Sequence, residues 1–534
     1  MKKKYLLFLI VPVFMLIYSL AFRNSLGPFY YNIGYDPSYV YLINSLNIAQ
    51  FKSPHHVDHP GTPLQVTGAV ILKLVYFFSG KSDDISKDVL GDPEKYLIII
   101  YLVLLIFSAA VLFFCGKIIY KNTGLILPAV LIQLSLFSSF TTSFELTSVT
   151  SEIFLIPLTM LLITFSFLYA GSRKNAKTKY IFIFSVICGI AVATKLSFFP
   201  MLIIPFLLIK GVIRKIILSL LTALIFIVSI LPAISNYDYF SVWIKGLVTH
   251  EGVYGFGKKN ILNPSAFLEN LLSVFQSEII FTVSFILTAA VILLIILRYG
   301  KNLNEENVSD KFRILMSFFL AGSFQLVIVA KHYSPRYMIP ALMLSLPAIY
   351  LCSDLLLEIF KSKLPGAKAL REKYVPAFLI LLILSMTSAT FYNRYLRYTE
   401  YRDQIDHLNE IIENYPSGKI IISSYGASRK EYALVFALYY SGEMNSKYKA
   451  IILEMYPDKL YFDYFNKIIF SLQPEYDPEL FKSNKTILFL NAFQLTNEDF
   501  KNDLKESYSA EVLDFRTLYA ASTGEVLYEV IIKN

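Results

Sequence analysis

Charge is scarce in this 534-residue chain. Asp, Glu, Lys and Arg make up 17% of it, against 55% hydrophobic residues, and the mean hydropathy is +0.53. A soluble domain carries about 25% charged residues, so a wholly water-soluble protein is excluded. Cysteine is equally sparse. The three present, Cys115, Cys188 and Cys352, lie in or at the ends of apolar runs, with neither a disulfide framework nor a metal-binding spacing, and read as packing residues. There is one Trp and there are six His. The sequence has no Walker loop, no dinucleotide-binding glycine pattern and no Gly-x-Ser-x-Gly elbow, so soluble nucleotide or serine-hydrolase chemistry has no support in it. Internal repeats and low-complexity tracts are also missing.

What is abundant is apolar and aromatic, with 44 Phe and 38 Tyr. Runs long enough to cross a bilayer, roughly 17–25 residues, fall near 5–21, 96–115, 124–140, 152–170, 180–194, 196–210, 213–234, 275–297, 313–330, 337–357 and 375–392. The fifth and sixth are short and meet at Lys195, so they read as two spans or as one broken pair around Pro200 and Pro205. Met1-Lys2-Lys3-Lys4 before the first run suits a retained span, or a signal peptide cut near Ser19-Leu20-Ala21. In either case residue 22 emerges outside.

Basic residues set the orientation. Alternate loops hold Lys117 and Lys121; Arg173, Lys174, Lys177 and Lys179; Lys210, Arg214 and Lys215; Arg298, Lys301, Lys311 and Arg313; then Lys361, Lys363, Lys368, Arg371 and Lys373. Those loops are cytoplasmic on this rule, and the net charge of +9 reflects topology and not nucleic acid. The fold class expected is a polytopic α-helical membrane protein with about eleven transmembrane helices and a C-terminal extracytoplasmic α/β domain. Residues 1–392 form the membrane domain, with a first outer loop at 22–95, and residues 393–534 form the soluble domain. Within the loop, 38–51 and 62–79 read as amphipathic helices on the membrane surface. In the C-terminal domain, 419–423, 450–454, 485–490 and 525–532 read as strands and 430–440 as a helix. The location is the plasma (inner) membrane, with the amino terminus cytoplasmic.

Polar residues near the outer edges of spans are the candidate site. Gly34-Tyr35-Asp36-Pro37 places one carboxylate at a bilayer face, as a catalytic acid or base or as the cap of a helix starting at Pro37. His55, His56, Asp58 and His59 follow in a Pro-rich loop. They read as metal ligands or as a plain extended loop, since their spacing matches no closed site. A divalent metal is compatible with the sequence and not required by it. Lys195 interrupts an apolar stretch, and Lys331, His332 and Arg336 crowd one turn. With His250 in the Gly-rich loop 249–257, these cations form a phosphate pocket; singly, Lys195 and Arg336 read equally as anchors snorkelling to lipid headgroups. Of the nearby acids, Glu152 starts a helix, where its charge suits the helix dipole. Glu145 is the better second site carboxylate.

These elements together resemble the glycosyltransferase C superfamily, most closely the family 39 group of protein O-mannosyltransferases and lipid A aminoarabinose transferase-like enzymes. The resemblance covers about residues 1–392. It is carried by Asp36 in the first outer loop, by His59-Pro60-Gly61-Thr62-Pro63-Leu64, and by Arg336-Tyr337-Met338-Ile339-Pro340 at the start of a span. The chain departs from the group at Asp36-Pro37, where an Asp-Glu pair is common. The resemblance implies transfer of a sugar from a polyprenyl-phosphate donor to an acceptor lipid, glycan or protein at the outer face. Asp36 would then be the base, with Glu145 and Asp58 as further candidates, and Lys331, His332, Arg336, Lys195 and His250 would bind the donor phosphate. A transporter or flippase of the same lipid-linked sugar is the alternative, although repeat symmetry and mid-membrane charge, its usual marks, are not evident. A catalytically silent scaffold is a third.

The loop alternation sets a test of topology. Single cysteines at Ser172 and Ser362 are expected to resist an impermeant thiol reagent in intact cells, while those at Ser148 and Ser483 react. The reverse labelling pattern would move the outer loops to the cytoplasm.

Overall fold

A computed structural model describes residues 5–58, 60–171, 178–252, 255, 257–299, 306–359, 367–415, 420–457, 459–463, 466–473, 481, 486–492 and 497–533. His59, the loop cations Arg173, Lys174, Lys177, Lys301, Lys361 and Lys363, and Ser172, Ser362 and Ser483 lie outside the described residues. So do Val253, Tyr254 and Phe256 of the Gly-rich loop. The chain divides into two compact units. One holds Met1–Leu20, Val57–Leu64 and Tyr101–Phe391; the other holds Ala21–His56, Gln65–Ile100 and Tyr392–Asn534. The division after Phe391 falls beside the expected domain boundary. Of the first loop, residues 57–64 group with the helices of the first unit and the rest with the C-terminal segment.

Among the described residues nine helices are long and apolar enough to cross a membrane, or ten if one bent pair counts as a span. The chain is thus a polytopic α-helical membrane protein with a C-terminal sheet domain. The count falls short of eleven for local reasons. Lys179–Thr194 and Leu196–Leu208 are too short to count. The expected span at 124–140 is broken: Ile126–Phe137 and Phe140–Thr147 meet at a 78° bend. Serine hydroxyls make this break by competing for backbone groups. Ser138 donates to Ser135 O at 2.7 Å and to Leu342 O at 3.1 Å, and Ser139, itself extended, accepts from Thr141 N at 3.1 Å. Conversely, Thr62–Ser79, expected on the membrane surface, has the length and apolarity of a span.

In the first unit the helices pack through small and amide residues. A Cβ on Gly189 would come within 2.7 Å of Ile225 and 2.9 Å of Thr222 O, so glycine is what lets Lys179–Thr194 lie against Val212–Ile230. Gln133 is fully buried, and its amide donates to Phe8 O at 2.9 Å and Leu112 O at 3.0 Å.

The second unit corrects two readings of the sequence. The helix Tyr35–Ala49 is buried nearly all round, including Asn44, Ser45 and Asn47, so it has no solvent face of the kind expected for a surface helix. Its polar residues bond inside the unit instead: Asn47 donates to Ser441 O at 2.9 Å and accepts from Tyr448 Oη at 2.8 Å. The stretch 450–454 is part of the helix Asn445–Met455, not a strand. Its buried residues Tyr448, Ile451 and Ile452 recur at helical spacing, a period that a short apolar run hides.

The sheet has six strands: β1 (Ile421–Ser424), β2 (Leu460–Asp463), β3 (Ile468–Ser471), β4 (Thr486–Asn491), β5 (Glu511–Ala520) and β6 (Val526–Lys533), in the order β3-β2-β1-β4-β6-β5. β1 is parallel to β2 and β4, and the outer pairs are antiparallel. Strand alternation gives it two faces. Ile487 and Phe489 pack with Phe462 and Phe500, while Leu488 and Leu490 pack against Leu408 and Ile412 of the helix Ala367–Asn414.

Glu525, just before β6, is 3% exposed and accepts from Ser428 N at 2.9 Å and from the Ser428 hydroxyl. Burial pushes its carboxyl from the usual 4.5 up to about 7, against the opposing Ser428 hydrogen bonds and the Arg429 charge. The folded domain therefore holds this proton more tightly than the unfolded chain does. The resulting stability is full below about pH 4.5 and is lost as pH rises through about 7, on the order of 3 kcal/mol in all. The midpoint for unfolding of the sheet domain is expected to fall between pH 5 and 8, and Glu525→Gln to flatten that slope. An unchanged slope in the variant would assign the pH dependence to other groups.

Candidate functional site

Two acids and two cations gather at the helix ends of the first unit. Glu152 lies in the first turn of the helix Ser151–Ala170, after Thr150, which is extended and ends the preceding turn. Its side chain is 1% exposed, and Ser151 Oγ donates to Oε2 at 2.8 Å. Lys195 reaches the same carboxylate from a break between helices. The residue is extended (φ −159°, ψ 130°) between Lys179–Thr194 and Leu196–Leu202, and its amino group, 2% exposed, pairs with Glu152 Oε1. The open backbone there also takes up the first loop. Pro60 bridges to Lys195 as an antiparallel partner, and Gly61 N donates to Thr194 O at 3.1 Å.

Arg336 approaches from the turn Pro335–Met338. Its Nε lies 3.9 Å from Glu152 Oε1, and its side chain is 26% exposed. The Tyr337 ring lies beneath both cations, 4.8 Å from Lys195 Nζ and 5.8 Å from Arg336 Cζ. Gln325 ties these segments together, donating to Ser197 O at 2.9 Å and Tyr337 O at 2.5 Å. Glu145, partly exposed, accepts from Thr150 Oγ1 at 3.1 Å and lies within electrostatic reach of Glu152, Arg336 and Lys195. The cluster is formally neutral, with Arg336 and Glu145 on its open side. Beside it runs an apolar cavity of about 620 Å³, lined by Val192 and Leu196 on either side of Lys195 and by Phe199, Phe206, Phe226 and Phe324.

The other cations expected at a phosphate pocket gather elsewhere. Lys331 Nζ donates to the carbonyls of Leu247 and Val248, each at 2.6 Å, and the His332 ring nitrogens lie 2.5 Å from Gly252 O and 2.6 Å from Leu247 O. Both side chains thus satisfy carbonyls at the end of the helix Tyr237–Thr249 and in the loop after it, a use open to cations at any helix C-terminus. His250 bonds its neighbour Thr249 at 2.8 Å and bridges to Lys259. Lys331 and His332 also line a cavity of about 200 Å³ with Glu251, Asn263, Asn270, Leu262 and Phe267.

Asp58, partly exposed, follows Val57, which is buried against Ala233 and Phe240. In the second unit, Asp36 is exposed and extended (φ −97°, ψ 110°). His55 and His56 both donate backbone N–H to Asn44 Oδ1, at 2.7 and 3.0 Å, and the His56 ring packs edge-on to Tyr41 and Tyr440. Among the described residues no group of three or more His, Cys, Asp or Glu is placed to hold a metal ion.

Glu152 is the residue that sequence reasoning passed over, since a helix start explained it. The available signal was Lys195: a lysine inside an apolar stretch needs a carboxylate partner, and Glu145 and Glu152 are the acids flanking the neighbouring outer turn.

No family model and no curated protein matches the chain. Two solved structures of ArnT from Cupriavidus metallidurans are similar to it at 11% identity over 97% of each chain: one bound to undecaprenyl phosphate, TM-score 0.44, and one in the apo state, TM-score 0.47.

Removing one partner of a buried ion pair costs about 3–5 kcal/mol, whereas replacing both with apolar residues is often neutral. Lys195→Met is expected to lower the unfolding temperature of the purified protein sharply, and Lys195→Met with Glu152→Leu to recover most of the loss. A single substitution as mild as a surface change would show that the pair is solvated.

Proposed function

We propose that this chain is a membrane glycosyltransferase that moves a sugar from a polyprenyl-phosphate donor to an acceptor at the outer face of the plasma (inner) membrane, with the amino terminus cytoplasmic and the C-terminal domain outside. The observation that carries this reading is the charged cluster of Glu152, Lys195, Arg336 and Glu145 beside the large Phe-rich cavity. A polyprenyl phosphate has the same two parts, an anionic head and a long apolar tail. The cavity suits the tail, whose binding positions the head. Arg336, the more exposed of the two cations, suits the phosphate, where a guanidinium offers two parallel hydrogen bonds. Lys195 is already engaged by Glu152 and acts by fixing that carboxylate and the Tyr337 ring. The motifs at Asp36, at 59–64 and at 336–340, which resemble those of family 39 glycosyltransferases, point to the same chemistry.

In the reaction, Asp36 takes the proton from the acceptor hydroxyl as its oxygen attacks the anomeric carbon. The bond from that carbon to the phosphate oxygen breaks and the configuration inverts. Charge grows on the departing polyprenyl phosphate, where a positioned cation lowers the barrier. Asp36 is favoured over Glu145 and Asp58 because it is the exposed acid of the three and carries the motif resemblance. A carrier of the same lipid would need the cavity and Arg336 but no base.

Asp36→Asn separates these roles, because Asn keeps the shape and cannot accept a proton. With purified protein in nanodiscs and a polyprenyl-phosphate sugar, it is expected to lose about 10²–10⁴ in transfer rate while binding the donor normally. Arg336→Ala is expected to weaken donor binding, and Arg336→Lys to restore it only in part. Turnover by Asp36→Asn within a few-fold of the unmodified protein would transfer the base role to Glu145 or Asp58. Donor movement across the bilayer without transfer would favour the carrier.

A further inference from the structure

In the second unit, the sheet has the arrangement in which α/β domains commonly bind ligands. From β1 the chain moves one way to β2 and then returns to place β4 on the other side of β1, a topological switch point whose crevice lies beyond the carboxyl ends of those strands. Here that crevice is formed by residues 425–429 after β1 and by Ala492 after β4, whose N–H donates to Ser424 Oγ at 2.9 Å. Gly426, at φ +90°, lets the loop turn with its N–H facing out.

The crevice is occupied by the first loop. Gly426 N donates to Tyr35 Oη at 2.9 Å, and Asn32 N donates to Ser428 Oγ at 2.9 Å. Ser428 is held in turn by the buried Glu525, which accepts from both its N–H and its hydroxyl. The Tyr35 ring, 0% exposed, packs on Tyr432 and Phe436. Tyr31 Oη donates to Asp406 at 2.5 Å. On the other side of Asp36, Tyr39 is fully buried and donates to Glu94 at 2.7 Å. From Tyr35 to Gln50 every residue is buried or partly buried except Asp36.

We propose that the C-terminal α/β domain is a positioning element for Asp36: its switch-point loop binds the chain's own segment 31–35 where a free-standing domain would bind a ligand, and Ser428, backed by Glu525, fixes that segment. The domain thereby acts on the transfer step through the carboxylate and not by binding donor. This rests on the reading of Asp36 as the base. Ser428 is a positioning residue and touches no substrate. Its hydroxyl accepts from the backbone of Asn32, four residues before the carboxylate, while its own orientation is set by Glu525.

The test is Ser428→Ala in the full chain in nanodiscs, with Ser428→Thr as the conservative variant and Tyr35→Phe as a second, milder break. Amide hydrogen exchange of residues 31–39 is expected to quicken in Ser428→Ala and Tyr35→Phe and to return in Ser428→Thr. Unchanged exchange in both would overturn the positioning role, whether or not sugar transfer is found. With transfer as the readout, Ser428→Ala is expected to lower kcat by about 10- to 100-fold, the scale of a small misplacement of a reacting group, with donor KM unchanged. On the Asp36→Asn background it is expected to have no further effect, because the two residues act as a unit. An equal loss on that background, or a raised donor KM, would show that the domain acts by another route. Full transfer by Asp36→Asn alone would refute the base assignment and leave the exchange result standing on its own.

Discussion

A lysine and a glutamate taken out of water together impose more on the first unit than any other pair. Each charge costs several kcal/mol to desolvate, and mutual attraction offsets this only with good geometry and further hydrogen bonds. In this geometry the helix before Lys195 ends at Thr194, and the Lys195 amino group meets the Glu152 carboxylate. The extended residue at Lys195 marks that end. It frees the Thr194 carbonyl, which accepts from Gly61 N at 3.1 Å, with Pro60 lying opposite Lys195. The short helices on either side, the Gly61 hydrogen bond to Thr194 and the Ser151 hydrogen bond to Glu152 all adjoin this one buried pair.

Charge balance then decides what the cluster can do. With Lys195 engaged by Glu152, an incoming anion meets Arg336, which lies 3.9 Å from the same carboxylate and is a quarter exposed. Glu152 therefore orients Arg336 as well as neutralising Lys195, and the Tyr337 ring beneath both cations limits where either can move. Glu145 sits on the open side with one oxygen held by Thr150. A site so arranged discriminates by position: an anion gains from Arg336 only where it avoids Glu145. On the proposed reading, a phosphate whose tail is anchored in the neighbouring cavity arrives in one orientation, and a free anion does not.

Much of this was legible in the sequence, and the parts that were not share a cause. Apolar runs and loop charges gave the helical architecture, and Lys195 and Arg336 stood out because cations at the outer edge of spans oppose the orientation rule. Their partners did not stand out, because a pairing across 43 residues, as between Glu152 and Lys195, leaves no local pattern. Lys331 and His332 looked like the same kind of residue as Arg336, yet they serve the carbonyls of a helix more than 80 residues away. Nothing in a list of charges separates a cation beside a buried carboxylate from one closing a helix. The bend at 138–139 depends on which serine hydroxyls turn back onto the backbone. Residues 38–51 read as amphipathic from apolar residues at helical spacing, and only tertiary partners such as those of Asn47 show that the polar residues are interior.

The same limit applies to Asp36 and points to how the second unit works. The sequence singles out Asp36 as a carboxylate at a bilayer face, but its exposure alone would also suit a surface charge. What sets it apart is the contrast with its neighbours. Tyr31, Tyr35 and Tyr39 are large side chains buried on either side of it, each hydroxyl is hydrogen-bonded, and the partners come from residues 94, 406 and 426. Ordering a loop residue costs about 1–2 kcal/mol in backbone entropy alone, so a chain holds a segment this way only where burial of the flanking aromatics more than offsets the cost. Three buried tyrosines around one exposed acid meet that condition. The C-terminal sheet supplies the surface on which they close, and the backbone on both sides of Asp36 is fixed by them.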